Sequence, residues 1–150
     1  MVTDREFEEF FSEVEPRLRR ALVAAYGFDR GREATAEALG WDWEHWERLQ
    51  HVQNKLSYLF KVGQSRSRRR REPIDFASIE YSAPWVEPGL GPALASLSDR
   101  QRIAVVLVYG FSWTLKEVAE LIGTKETTVH THVERALKKL RTSMEVTNRA

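Results

Sequence analysis

Apolar residues recur at helical spacing along most of this chain. Phe7, Phe10, Phe11, Val14, Leu18, Leu22 and Ala25 lie three and four apart, which predicts an amphipathic helix from about Asp4 to Tyr26. Thr3 and Glu6 can form a capping box at its start, and Gly27 ends it. Ala34, Ala38, Leu39, Trp43 and Trp46 predict a second helix from about Arg30 to Leu49, with Asp29 as cap. A third starts near Asn54 and carries Leu56, Leu59, Phe60 and Val62. No segment alternates with a period of two strongly enough to predict a strand.

The helical pattern stops between Glu72 and Pro92. Four prolines fall there (Pro73, Pro84, Pro88 and Pro92) with Gly89 and Gly91, and proline removes donors and breaks helices. The segment reads as an irregular linker. Ile74, Phe76, Ile79, Tyr81, Trp85 and Val86 make it too apolar for a free tether, so it is expected to lie against something. Beyond it, Pro92 to Leu97 form a short helical turn, and Ser98 caps a helix from Asp99 to Tyr109. The pattern predicts an all-α chain of two small helical domains, residues 1–71 and 92–150, joined by a Pro-rich linker, residues 72–91.

The segment from Thr114 to Arg141 is the most specific. Thr114 and Glu117 can form a capping box, and Leu115, Val118, Ala119 and Ile122 share one face. Gly123 stands where a tight turn favours a left-handed backbone, and Thr124 can cap the next helix. Val129, Val133, Ala136, Leu137 and Leu140 then form a buried stripe. Two short helices about such a turn make a helix-turn-helix, which places its second helix in the DNA major groove. A helical hairpin with no DNA role is the competing reading.

Composition changes this picture in one respect. The 150 residues carry 42% hydrophobic and 30% charged residues, yet the net charge is only +1. Whole-chain charge therefore predicts no affinity for nucleic acid, whereas its distribution does. Six acids (Asp4, Glu6, Glu8, Glu9, Glu13 and Glu15) face one base, Arg5, between Thr3 and Glu15. Five arginines fall in the six residues from Arg66 to Arg71. Such asymmetry suggests separate partner surfaces. There is no cysteine, which excludes disulfides and thiol chemistry and fits a reducing cytoplasm. Neither a signal peptide nor a membrane-length apolar run is expected.

Candidate chemistry follows from position. The recognition helix should begin near Lys125, with its N-terminal residues at base edges and later ones at phosphate. Lys125, Glu126, Thr127, Thr128, His130, Thr131, Arg135 and Lys138 are the candidates. Arg can bond guanine bidentately, and Thr can contact a thymine methyl. Arg135, Lys138, Lys139 and Arg141 suit phosphate, against the single acid Glu134. In the third helix Tyr58 and Phe60 stand beside Lys61 and Arg66, and aromatics among cations can stack on unpaired bases. The two rings lie on opposite sides of the helix, so core packing is expected to claim one. His130 and His132, two residues apart, do not share a helix face. No metal site, cofactor or catalytic set is expected, and so no enzyme.

Together these features resemble the sigma-70 family of bacterial RNA polymerase sigma factors, and the two-unit plan resembles its extracytoplasmic function type. The stretch ALASLSDRQRIAVVLVYGFSWTLKEVAELIGTKETTVHTHVERALKKLR is similar to sigma region 4 through Leu97, Arg100, Gln101, Arg102, Glu117-Val-Ala-Glu120 and Thr128-Val129. The resemblance implies that Lys125 to Arg135 read the minus-35 promoter element. The N-terminal unit resembles sigma region 2. Glu33 to Trp43 stands in place of the polymerase-clamp-binding helix, with Glu33, Glu37, Ala38 and Trp43 fitting the pattern. Ala36 replaces the usual glutamine, and Gly40 falls mid-helix, where glycine costs ~1 kcal/mol against alanine.

Leu59 to Ser65 is similar to the helix that melts and reads the minus-10 element, although Ser65 stands for a common asparagine. Asn54, Tyr58, Lys61, Gln64 and Arg66 are its candidate DNA contacts, and Glu47 to Lys55 would be the loop that holds a flipped base. The resemblance implies a cytoplasmic sigma factor with core RNA polymerase and promoter DNA as partners, and it allows an anti-sigma protein as a third. The alternative is a sigma-derived helix-turn-helix regulator that does not engage polymerase. A pure interaction protein is a further class.

Overall fold

The computed structural model describes residues 4–67, 74, 76 and 89–149, with the backbone alone for 146–149. The described residues form helices: α1 (Asp4–Tyr26), α2 (Phe28–Glu44), α3 (Trp46–Leu49), α4 (Lys55–Ser67), α5 (Leu90–Ser96), α6 (Asp99–Val105), α7 (Leu115–Ile122) and α8 (Glu126–Arg149). A π-helical turn, Val106–Gly110, extends α6. The expected end of that helix at Tyr109 is thus reached by a widened turn. The all-α reading stands. Thr3, Arg68 to Arg71 and most of the linker lie outside the described residues.

The first two helices form a tight hairpin. The chain reverses at Gly27, whose φ of 87° only glycine adopts readily. Its amide donates to the Val23 carbonyl at 2.8 Å, and its own carbonyl accepts from Gly31 at 2.9 Å. Helix α2 therefore starts at Phe28, and Asp29 sits in its first turn, not at the expected cap. A Cβ on Gly31 would lie 2.5 Å from the Val23 Cα, so glycine permits this close crossing. The second helix also ends earlier than its apolar spacing suggests. His45 leaves helical geometry (φ −119°, ψ 25°), its amide held by the Trp41 and Asp42 carbonyls, and α3 starts a fresh turn. Asn54 then caps α4 by accepting from the Ser57 amide at 3.0 Å.

The two halves share one apolar cluster. Leu18 and Leu22 of α1, Leu59 and Phe60 of α4, and Ile103, Leu107, Val118 and Leu121 of the C-terminal half are all buried in it. Phe60 is 1% exposed, so core packing claims this ring, and Tyr58 is left half-buried against Trp41. A second cluster holds Phe76, Leu94, Leu97, Val105 and Ala136. Phe76 also meets Phe28 edge-on at 6.1 Å, so this part of the linker segment does lie against the body.

Polar ties cross between the halves as well. Arg102 is 1% exposed and fully engaged. Its Nε and one terminal nitrogen donate to the Ala25 carbonyl at 3.1 and 2.8 Å, and its other terminal nitrogen donates to the Leu97 carbonyl at 2.7 Å. Asp99 faces it at 2.7 Å. Burial draws the guanidinium below its ordinary value, while Asp99 opposes the shift. Ala25 lies in the last turn of α1 and Leu97 follows α5, so one side chain serves carbonyls that helix ends leave without partners. Arg17 pairs with Glu117 at 2.8 Å and lies over the Trp113 ring at 4.6 Å.

Candidate nucleic-acid interface

The C-terminal helix-turn-helix is built by its own caps. Thr114 accepts from the Glu117 amide at 3.0 Å, and Glu117 accepts from the Thr114 amide at 3.1 Å. That bond to Thr114, with Arg17 beside it, holds the Glu117 carboxyl below the usual range. Gly123 takes the left-handed turn at φ 72°, and its amide closes on the Ala119 carbonyl at 2.9 Å. Helix α8 starts at Glu126. Its first carbonyl acceptor is Lys125, bonded by the Thr128 and Val129 amides, so Lys125 takes the end position expected of Thr124.

Burial divides α8 into two faces. Val129, Val133 and Ala136 are buried, and Leu137 and Leu140 half-buried, which is the predicted stripe. Lys125, Glu126, Thr127, His130, Thr131, Arg135 and Lys138 are exposed, and Thr128 is half-buried at the edge. Thr131 donates its hydroxyl to the Thr127 carbonyl at 3.1 Å, and His130 lies 3.5 Å from Glu134. Lys139 is exposed as well, and its ammonium also donates to Gln101 Oε1 at 3.0 Å, which ties α8 to α6. His132 is half-buried, and burial with Arg100 and Arg135 nearby holds its imidazole below the ordinary value.

Helix α4 presents a second polar face. By the ~100° step of a helix, Asn54, Tyr58 and Lys61 share a stripe, with Gln64 and Arg66 to either side. Asn54, Lys61 and Arg66 are exposed, and Gln64 and Tyr58 are half-buried. The N-terminal end of this face meets the helix-turn-helix. Ser57 donates to the Leu121 carbonyl at 2.8 Å, and Asn54 donates to the Glu120 carbonyl at 3.5 Å. The sequence pattern contains no sign of this contact. The arginine run that follows α4 lies outside the described residues from Arg68 on.

The third surface is on α2. Glu33, Ala36, Glu37, Gly40 and Trp43 fall within an arc of about 120°. Glu33 is exposed, Glu37 half-buried, and Trp43 54% exposed with the Phe7 ring edge-on at 4.7 Å. A groove of about 650 Å³ runs beside them, lined by Phe7, Phe11, Ala36, Leu39, Gly40 and Trp43 among others. Beneath the C-terminal end of α2 lies Asp42, which sequence reasoning missed. It is fully buried, and neither carboxylate oxygen has a hydrogen-bond partner. Burial pushes its carboxyl up to about 6, with Lys55 opposing. A lone acid between two tryptophans, Trp41 and Trp43, was the available signal.

Among the described residues no group of His, Asp and Glu side chains stands together as a metal site, and no helix is long and apolar enough to cross a membrane. Comparison with known proteins places the C-terminal half. Residues 90–140 match the family described as sigma-70, region 4. No curated protein matches the chain. A similar solved structure is the sigma factor RpoE of Bartonella quintana, crystallised with the anti-sigma factor NepR. The two chains are 19% identical, the match covers 95% of this chain and 98% of that one, and the TM-score is 0.63. Residues 90–140 are thus similar to sigma-70 region 4, and over nearly its whole length the chain shares the fold of that solved structure.

Proposed function

We infer that the chain is a sigma factor of the extracytoplasmic function type, one that binds core RNA polymerase and directs it to promoters. The observation that carries this reading is the region 4 match over residues 90–140, laid on a helix-turn-helix whose second helix keeps its polar, cationic face exposed. In this reading residues 92–150 are the region 4-like unit. Lys125 to Thr128, His130 and Thr131 meet minus-35 base edges, while Arg135 and Lys138 meet bases or phosphate. Residues 1–71 are the region 2-like unit. Tyr58 stacks on an unpaired base of the minus-10 element, with Asn54, Lys61, Gln64 and Arg66 along the strand. Glu33, Glu37 and Trp43 dock on the polymerase clamp.

The chain acts by binding and placement, in the cytoplasm with the polymerase. The similar solved chain is held by an anti-sigma factor, and a partner of that kind is proposed for this one. The test is run-off transcription with core polymerase over a promoter library, beside co-purification with core enzyme. Promoter-dependent transcripts and stable co-purification are expected. DNA binding without co-purification would mean a regulator that no longer engages polymerase.

A further inference from the structure

The pocket between α1, the start of α2 and the loop ahead of α7 has no part in the reading above. It measures about 250 Å³ and is lined by Arg19, Arg20, Val23, Phe28, Arg32 and Phe111. Three arginines thus line one small cavity, and among the described residues no carboxylate lines it. Arg19 is balanced by Glu15 at 3.1 Å. Arg20 and Arg32 face aromatic rings instead. The Arg20 guanidinium lies 5.5 Å from the Phe111 ring centre, and that of Arg32 lies 5.9 Å from Phe28. Cations resting on ring faces are attracted there and held in place. Cations that line one cavity repel each other, and an anion bound among them offsets that repulsion. Guanidinium is also the group best matched to phosphate, because its planar fork can bond two oxygens at once.

We propose that this pocket binds a nucleoside diphosphate, with the phosphates on Arg19, Arg20 and Arg32 and the base against Phe111. The start of α2 adds to the anion affinity. Phe28 is its first residue, and the preceding Gly27 offers no side chain to cap the amides there. Phe111 is 39% exposed, which leaves ring surface for a flat base. The cavity is just smaller than the ~300–1,000 Å³ usual for drug-sized ligands, which suits a diphosphate held inside with its base at the mouth. Its lining contains no residue of α4 or α8, the two helices assigned to DNA. The ligand would touch both halves at once, since Phe111 belongs to the C-terminal half and the other five residues to α1 and α2.

Calorimetric titration of the full chain with guanosine diphosphate, adenosine diphosphate, inorganic phosphate and duplex DNA tests this. At least one diphosphate should bind more tightly than inorganic phosphate. Arg20→Gln with Arg32→Gln should weaken it at least ten-fold with helicity and duplex binding unchanged, and Phe111→Ala should weaken the diphosphate but not phosphate. Four outcomes would overturn the proposal. Neither diphosphate binds below millimolar concentration. Inorganic phosphate binds as tightly as the diphosphates. The double variant binds like the parent. Duplex affinity falls in step with diphosphate affinity, which would make the arginines a DNA-backbone surface. None of these outcomes depends on whether the chain supports transcription.

Discussion

The Ser57 hydroxyl of α4 donates to the Leu121 carbonyl of α7 at 2.8 Å, across 64 residues of sequence. Leu121 stands one residue from the end of its helix, where carbonyls have no intrahelical partner. Ser57 is itself buried, so neither group has ready access to water if the other is lost. Ser57→Ala should therefore cost about 1–3 kcal/mol, as expected for a buried acceptor left without a donor. The urea midpoint should fall with the slope unchanged, and an unmoved midpoint would mean that water replaces the hydroxyl.

Asp42 predicts an unusual dependence of stability on pH. Its carboxyl is raised from 3.8 to about 6 in the folded chain by burial, with Lys55 opposing. The folded state thus binds the proton more tightly than the unfolded state. The resulting stabilisation is full below pH ~4 and is lost as pH rises through ~6, amounting to about 3 kcal/mol at 1.36 kcal/mol per unit. Asp42→Asn should remove this loss, so its stability advantage over the parent should grow from pH 4 to pH 7. Parallel thermal-melting curves for the two proteins over that range would show instead that Asp42 keeps its ordinary affinity for protons.

Gly40 stands inside α2 with nothing within 4 Å of where a Cβ would project. Alanine there meets no neighbour and restricts the unfolded chain, so Gly40→Ala should stabilise by ~0.5–1 kcal/mol. Gly40 also lines the groove beside Trp43. If a polymerase element sits there, the same methyl should weaken co-purification with core enzyme while the melting temperature rises. A variant that is more stable and binds polymerase equally well would move the clamp contact off this groove.

The elements that were legible in the sequence have strong local causes. The capping box of Thr114 and Glu117, the left-handed Gly123 and the stripe from Val129 to Leu140 each follow from short-range rules, and the helix-turn-helix stands where they put it. The end of α2 was harder, because Trp46 continues the apolar spacing while His45 breaks the backbone. What the sequence could not show is contact between distant segments. Ser57 looks like an ordinary solvated helix residue, and Lys139 like one more phosphate-facing cation. Only folding brings one to Leu121 and the other to Gln101. Arg102 belonged to a recognisable opening motif, yet its bonds to Ala25 reach across 77 residues. For the candidate site, exposure supports most of the α8 residues individually, whereas Asn54 turns out to face the helix-turn-helix.

Arg135 is exposed on the polar face of α8, nine residues after its first. Arg135→Ala should weaken binding of the chain to promoter duplex. If the side chain meets a base, the loss should be ~1–3 kcal/mol with relaxed preference at one position. If it meets phosphate, affinity should fall alike on every sequence and the salt slope should drop by about one. Titrations on matched duplexes at two salt concentrations distinguish the two, and unchanged binding everywhere would take Arg135 out of the interface.

Elements near positions −35 and −10 lie ~25 base pairs apart, roughly 85 Å at about 3.4 Å per pair. A compact chain of this length has a radius of gyration of about 15 Å, hence a diameter near 40 Å. The closed body, with α4 bonded to α7 and Arg17 paired to Glu117, cannot touch both elements of one promoter. If the chain is a sigma factor, its halves must part when it works. The absence of cysteine makes this testable, because Arg17→Cys with Glu117→Cys introduces the only two thiols. A short bismaleimide with a cleavable disulfide should then tie the halves together. The tied protein should fail to start transcription with core polymerase, and reduction of the tether should restore run-off product to the level of the untreated double variant. Equal product from tied and cleaved protein would show that the halves stay together on the promoter.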